Sequence, residues 1–250
     1  MRTVFAAFLT LMVAVPVSAD QVAELISGAI TECRACDLKD ANFKKADLSG
    51  VDLTGANLTN ATFHRANLRK ANLSGVVALG ANFNLADLTL AQMEEGDFSR
   101  AMFYAAEMSG VNLRGANLSE ARLQTARLTS AKMADTILDR ALLRDTVANN
   151  ADFRNASMLE TNLNGAHMGR SVFDGASISY AGFVQAELSR ARFLDATISR
   201  TDFYGSDMRR AQVSGATLIG NRFTTAATRQ VDFENATMKG NFMADGRLQN

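Results

Sequence analysis

Apolar residues recur at every fifth position along almost the whole chain. The stretch Ala56–Gly75 reads ANLTN, ATFHR, ANLRK, ANLSG when cut into fives. From Cys36 to Asn250 the sequence divides into 43 such quintets in one register, without an insertion. The third residue of each is its centre, and 40 of the 43 centres are Leu, Phe, Met, Ile or Val, so the register is not accidental. Ala78, Ala148 and Thr228 are the exceptions. The first position is Ala in 28 quintets, the second is often Asn or Asp, and the fourth and fifth are mostly polar or Gly.

A period of five matches neither an α-helix nor a plain strand. On extended backbone the first and third residues point the same way, and Asn, Asp, Gly and Ser then allow a turn. Four such turns close a square coil of four quintets. The phenylalanines support that length: Phe43, Phe63, Phe83 and Phe103 share one column, and Phe153, Phe173, Phe193 and Phe233 share another. The column from Leu48 to Leu248 has none. Rings repeating every coil predict aromatic stacks inside a prism.

The tandem A-[DN]-L-x-x pattern resembles the pentapeptide-repeat family. The resemblance implies an all-β fold, a right-handed quadrilateral parallel β-helix with first and third positions inside. At strand spacing the rod would be roughly 50 Å long. Each coil buries its faces only against its neighbours. Ala78 and Ala148 predict thin spots in the core, into which Val76, Val77, Leu79 or Val147 could turn.

The expected organisation is a signal peptide over 1–19, a capping segment over 20–35 and the β-helix over 36–250. The leader MRTVFAAFLTLMVAVPVSA has a basic Arg2, an apolar run, Pro16 and a small-residue site at Val17–Ala19. That is the pattern of a secretory signal cut after Ala19, leaving a periplasmic or secreted protein with no transmembrane segment in the mature chain. Val22, Leu25, Ile26, Ala29 and Ile30 fall at helical spacing and predict a short N-terminal capping helix. The last quintets, NFMAD and GRLQN, stay in register with nothing to cap them. Some members of the resembled family dimerise through their C-terminal ends, which implies a possible homodimer here.

Composition narrows the chemistry. Basic and acidic residues balance at 26 each, Trp is absent and there are two His. His64 and His167 fall in different columns, so no nucleophile–base pair can be assembled from them. Cys33 and Cys36 form a C-x-x-C. In an exported protein this reads as a structural disulfide, a staple between capping helix and first coil. A thiol–disulfide centre is the alternative, although no βαβ context surrounds it. A zinc site lacks a second cysteine pair. No cofactor is indicated.

The neutral total hides an asymmetry. Grouped by face, the sides over Phe43 and Leu48 carry net charges of +3 and +4, and those over Leu53 and Leu38 carry −5 and −1. Arg69, Lys70, Arg170, Arg190, Arg209, Arg210 and Arg229 make the Leu48 side a candidate basic surface for an anionic partner. The expected function is an exported, non-enzymatic scaffold binding a protein or an anionic envelope component. Quinolone-resistance members of the resembled family mimic DNA and bind gyrase. They are strongly acidic, and this chain is not, so neither that role nor nucleic-acid binding is expected.

Overall fold

The computed structural model describes residues 19–249, so the leader assigned to 1–19 lies almost wholly outside the described residues. Those residues form a parallel β-solenoid, capped by one helix, α1 (Ala19–Ser27). Each second-position residue pairs with the one four quintets on, from Glu32↔Asp52 through Asn57↔Val77 to Arg222↔Phe242. On one side the pairing lengthens into three-residue strands: β1 (Ser157–Leu159), β2 (Ser177–Ser179), β3 (Thr197–Ser199), β4 (Thr217–Ile219) and β5 (Thr237–Lys239). They stack in chain order as one parallel sheet.

The quintet accounts for its own backbone hydrogen bonds. The first N–H bonds within the turn, as Ala61 N to Leu58 O at 2.9 Å. The second reaches the coil before, as Asn57 N to Cys36 O at 2.9 Å. The third and fifth reach the coil after, as Leu58 N to Val77 O at 2.6 Å and Asn60 N to Leu79 O at 2.9 Å. The fourth is satisfied by the Asn or Asp two residues earlier, as Thr59 N donating to Asn57 Oδ1 at 3.1 Å. That local Asx bond is the physical reason for the second-position residue, and buried donors must be satisfied somewhere. The same side chains also ladder between coils: Asn57 Nδ2 donates to Asp37 Oδ1 at 2.8 Å.

The fifth residue takes a left-handed conformation whether or not it is glycine. Lys45, Arg65, Leu85, Thr125 and Arg190 all have φ between 58° and 60°. An L-residue there is strained by roughly 1–2 kcal/mol, which the solenoid's hydrogen bonds and core offset.

Inside, the aromatic columns stack as expected. Phe43, Phe63, Phe83 and Phe103 follow one another at 4.9–5.0 Å with their rings nearly parallel. Phe153, Phe173 and Phe193 form a second stack at 5.1 and 4.7 Å, meeting Phe183 edge-on at 6.1 Å. Ala78 is fully buried, yet Val77 and Leu79 stay exposed and do not turn inward; Val76 is already inside as a first-position residue. The neighbouring large side chain is Phe98, whose ring reaches back to Phe83 in the coil of Ala78, 6.2 Å away.

Polar first-position residues are buried with partners. Asn221 Nδ2 donates to Ile198 O at 3.0 Å, while its Oδ1 accepts from Thr201 N at 2.9 Å. Asn241 repeats the pattern one coil on, donating to Leu218 O at 2.8 Å and accepting from Asn221 N at 2.9 Å. This ladder stands in for the turn bond that the longer strands leave open.

Both ends differ from expectation. At the N-terminus the coil is in register from Thr31, one quintet before Cys36: Cys33 N bonds Asp52 O at 2.7 Å and Ala35 N bonds Thr54 O at 2.8 Å. Leu25 is buried against the first coil, and Val22 and Ile30 pack beside it, but Ile26 lies on the outer face of the helix and Ala29, beyond the helix end at Ser27, is exposed too. At the C-terminus GRLQN does not continue the solenoid. Gly215 N reaches Asn235 O rather than residue 234, beside the half-buried Thr228. The chain then turns at Gly246 and pairs antiparallel, Phe242 with Leu248. Phe233, Met238 and Met243 are therefore only partly buried, since no coil among the described residues stacks on them.

Candidate functional site: an arginine groove along one corner

The corner that follows the Leu48 side carries a groove of about 570 Å³. One wall is built from fourth-position residues Asn149, Gly169, Ser189, Arg209 and Arg229. The other is the fifth-position column Asn150, Arg170, Arg190, Arg210 and Gln230. The backbone sets the column: Arg170 N bonds Ser189 O at 3.0 Å, Arg190 N bonds Arg209 O at 3.0 Å and Arg210 N bonds Arg229 O at 3.1 Å. Each of the three arginines has φ of 59–61°. The left-handed turn thus projects them in file, one per rung.

The partners of these side chains are uneven. Arg209 forks onto Asp207, Nε to Oδ1 at 2.8 Å and Nη2 to Oδ2 at 2.6 Å. That fork holds the Asp207 carboxyl below its usual range, against the opposing push of burial. Arg210 Nε donates to Gln230 Oε1 at 2.8 Å. Arg170, Arg190, Arg210 and Arg229 meet no carboxylate among the described residues.

The opposite corner of the coil shows what the same geometry does when charges alternate. There the fifth positions run Arg100, Glu120, Arg140, Glu160. Arg100 Nε meets Glu120 Oε2 at 3.0 Å, and Arg140 Nε meets Glu160 Oε2 at 3.1 Å. A fifth-position arginine therefore reaches the residue one coil away. In the groove that residue is another arginine. Like charges held at the coil spacing, about 5 Å, would repel by roughly 1 kcal/mol even at the dielectric of water, and an anion along the column would relieve that repulsion.

Of the candidate basic residues, five gather here: Arg170, Arg190, Arg209, Arg210 and Arg229. Arg69 and Lys70 do not. They share the side but sit near the other end, and Arg69 Nη1 is engaged by Asp87 Oδ2 at 3.2 Å. Face-by-face charge counting missed this separation, and missed the uncharged members Asn149, Asn150, Ser189 and Gln230. Sorting the fifth positions by coil would have found the run of arginines. On the acidic sides a minority of the carboxylates are ion-paired, among them Asp152 with Arg154 at 2.6 Å and Asp174 with Arg192 at 2.5 Å.

The other candidate chemistry is local. Cys33 and Cys36 are joined by a disulfide with Cα atoms 5.5 Å apart. Cys33 is itself a quintet centre and Cys36 the next first-position residue, so the bond spans the first corner of the solenoid instead of tying helix to coil. Cys33 is 4 % exposed and Cys36 is partly buried. His167 Nδ1 lies 2.7 Å from Glu187 Oε2 on the Leu48 side, a pairing between coils that sequence spacing did not suggest. Among the described residues no cluster of three His, Cys, Asp or Glu side chains is placed to hold a metal ion. No helix among them is long and apolar enough to cross a membrane.

Family profiles described as pentapeptide repeats match residues 36–75, 66–103 and 106–145, and one described as a pentapeptide repeat region matches 146–223. No curated protein matches the chain. Among solved structures, the chain is similar to HetL, a pentapeptide repeat protein involved in heterocyst differentiation regulation from the cyanobacterium Nostoc sp. strain PCC 7120. The TM-score is 0.74 at 24 % identity, covering 93 % of this chain and 100 % of HetL. A trypsin-treated form of QnrB1, a plasmid-mediated fluoroquinolone resistance protein, aligns with a TM-score of 0.46 at 21 % identity, over 67 % of this chain and 78 % of that one.

Proposed function

The chain belongs to the pentapeptide-repeat family, and on that premise we propose that it is an exported, non-enzymatic scaffold that holds an anionic partner in its arginine groove. The observation that carries the reading is the uniform column Arg170, Arg190 and Arg210, set beside the alternating column Arg100, Glu120, Arg140 and Glu160. A rigid prism suits such a role, because groups held in place before binding lose little freedom on binding. Export rests on the leader sequence, and protein recovered from outside the cytoplasm should begin at Asp20. To test the function, the protein is crosslinked in its native envelope beside a variant carrying Arg170→Glu, Arg190→Glu and Arg210→Glu. A partner captured by the wild type and lost by the variant supports the groove. Equal capture by both removes it from the function.

A second reading concerns self-association. Phe242 and Leu248 are 48 % and 53 % exposed at the open end, beside the half-buried Phe233 and Met238. We propose that two copies meet through this end, which would cover that apolar surface. Sedimentation showing monomer alone at tens of micromolar would sink the idea.

A further inference from the structure

Resting on the groove reading above, we propose that its ligand is a linear anionic polysaccharide lying along the solenoid axis, with about one charged sugar for each rung. The arginines are not gathered around a point, as a pocket for a single anion would be. They stand in file at the coil spacing, about 4.8 Å. The groove from Asn149 to Gln230 crosses four such intervals, roughly 20 Å of line. A pyranose ring with its glycosidic oxygen is about one rung long, and a hexuronate chain carries one carboxylate per ring. A guanidinium fork matches a carboxylate or a sulfate in two hydrogen bonds.

The rest of the lining points the same way. Asn149 and Asn150 stand at one end of the arginine file, Ser189 within it and Gln230 at the other end, with no aromatic and no aliphatic side chain among the lining residues. A protein partner takes most of its affinity from buried aromatic and arginine anchors seated in desolvated pockets, and this open groove offers none. A single nucleic-acid strand is held by aromatic platforms under its bases, which are also missing. Amides and a hydroxyl suit a ligand dense in hydroxyl groups. Gly169, second along one wall, adds no side chain, and its N–H is already taken by Asn149 Oδ1 at 2.8 Å, so the wall stays low there.

The test is calorimetric titration of the purified chain at low salt. The probes are polygalacturonate, heparin, neutral dextran, poly-L-glutamate and vesicles of anionic phospholipid. Two variants accompany the wild type. One carries Arg170→Gln, Arg190→Gln and Arg210→Gln. The other carries Arg65→Gln, Arg114→Gln and Arg122→Gln, the same change in net charge on other parts of the surface. The expected result is binding of polygalacturonate or heparin, weakened more than about tenfold by the groove variant and not by the other. Which glycan binds distinguishes carboxylate from sulfate recognition, and dextran does not bind. Binding of polyglutamate or vesicles alone, lost in the groove variant, overturns the glycan and leaves the groove reading standing. Equal loss in both variants, or no binding of any anion, overturns both.

Discussion

The ring of Phe98 occupies the space where a Cβ on Gly96 would sit: its nearest carbon lies 2.5 Å from that position. Gly96 is a buried first-position residue, where alanine is usual, and Phe98 is the only aromatic centre in its column. The ring is turned so that it meets Phe83 and Phe103 edge-on at 6.2 and 6.0 Å. Gly96→Ala should therefore destabilise the protein by about 1–3 kcal/mol through overpacking. Adding Phe98→Leu should recover most of that loss, since Ala116 precedes Leu118 in the same column. Urea midpoints of the single and double variants decide it; a double variant no better than Gly96→Ala refutes the account.

Asn221 bonds two buried backbone groups at once, Thr201 N–H and Ile198 C=O. Asn221→Ala leaves both without partners and should destabilise by about 2–3 kcal/mol. Asn221→Asp keeps the acceptor but loses the amide donor and adds a buried charge, so it should fare no better. Thermal unfolding unchanged in either variant would show that the ladder contributes nothing.

Acid should destabilise the solenoid through particular carboxylates. Asp152 and Asp207 are held below the usual range, first by the forks of Arg154 and Arg209, with burial opposing and backbone N–H donors helping. Their folded pKa lies below the unfolded one, so their contribution is present above an unfolded value of about 3.9 and is lost as pH falls through the folded value. Stability should hold between about pH 7 and 5 and decline below about 4. Asp152→Asn with Asp207→Asn should lower the plateau and flatten the decline. An equally steep decline in the variant would assign the acid sensitivity elsewhere.

Thr125 is a β-branched residue at φ 59°, a conformation in which such side chains are outliers. Thr125→Gly should stabilise by about 0.5–1 kcal/mol, the relief of left-handed strain less the entropy of glycine. Thr129→Gly, at the fourth position of its own quintet, relieves nothing and should destabilise. Calorimetric melting of the two variants gives the signs, and a shared sign would deny that the fifth position is strained.

The sequence by itself determined the coil. A strict alternation of small residue and large apolar centre, repeated every five positions, can bury its centres only if the backbone turns once per quintet and closes after four. The Phe43–Phe103 column then had to stack. That logic is local and periodic, so Leu58 and Phe63 were legible without coordinates. The tertiary structure decided what breaks the period. GRLQN keeps the pattern yet folds back to pair antiparallel with Phe242, a tertiary choice that the five-residue period does not contain. Cys33 joins the first coil because backbone pairing with Asp52, which composition does not encode, extends the register to Thr31. The groove was half legible. Its charges could be counted, but whether an arginine is free depends on what the next coil places beside it. Glu120 stands beside Arg100, while Arg190 stands beside Arg170, and only stacking makes those residues neighbours.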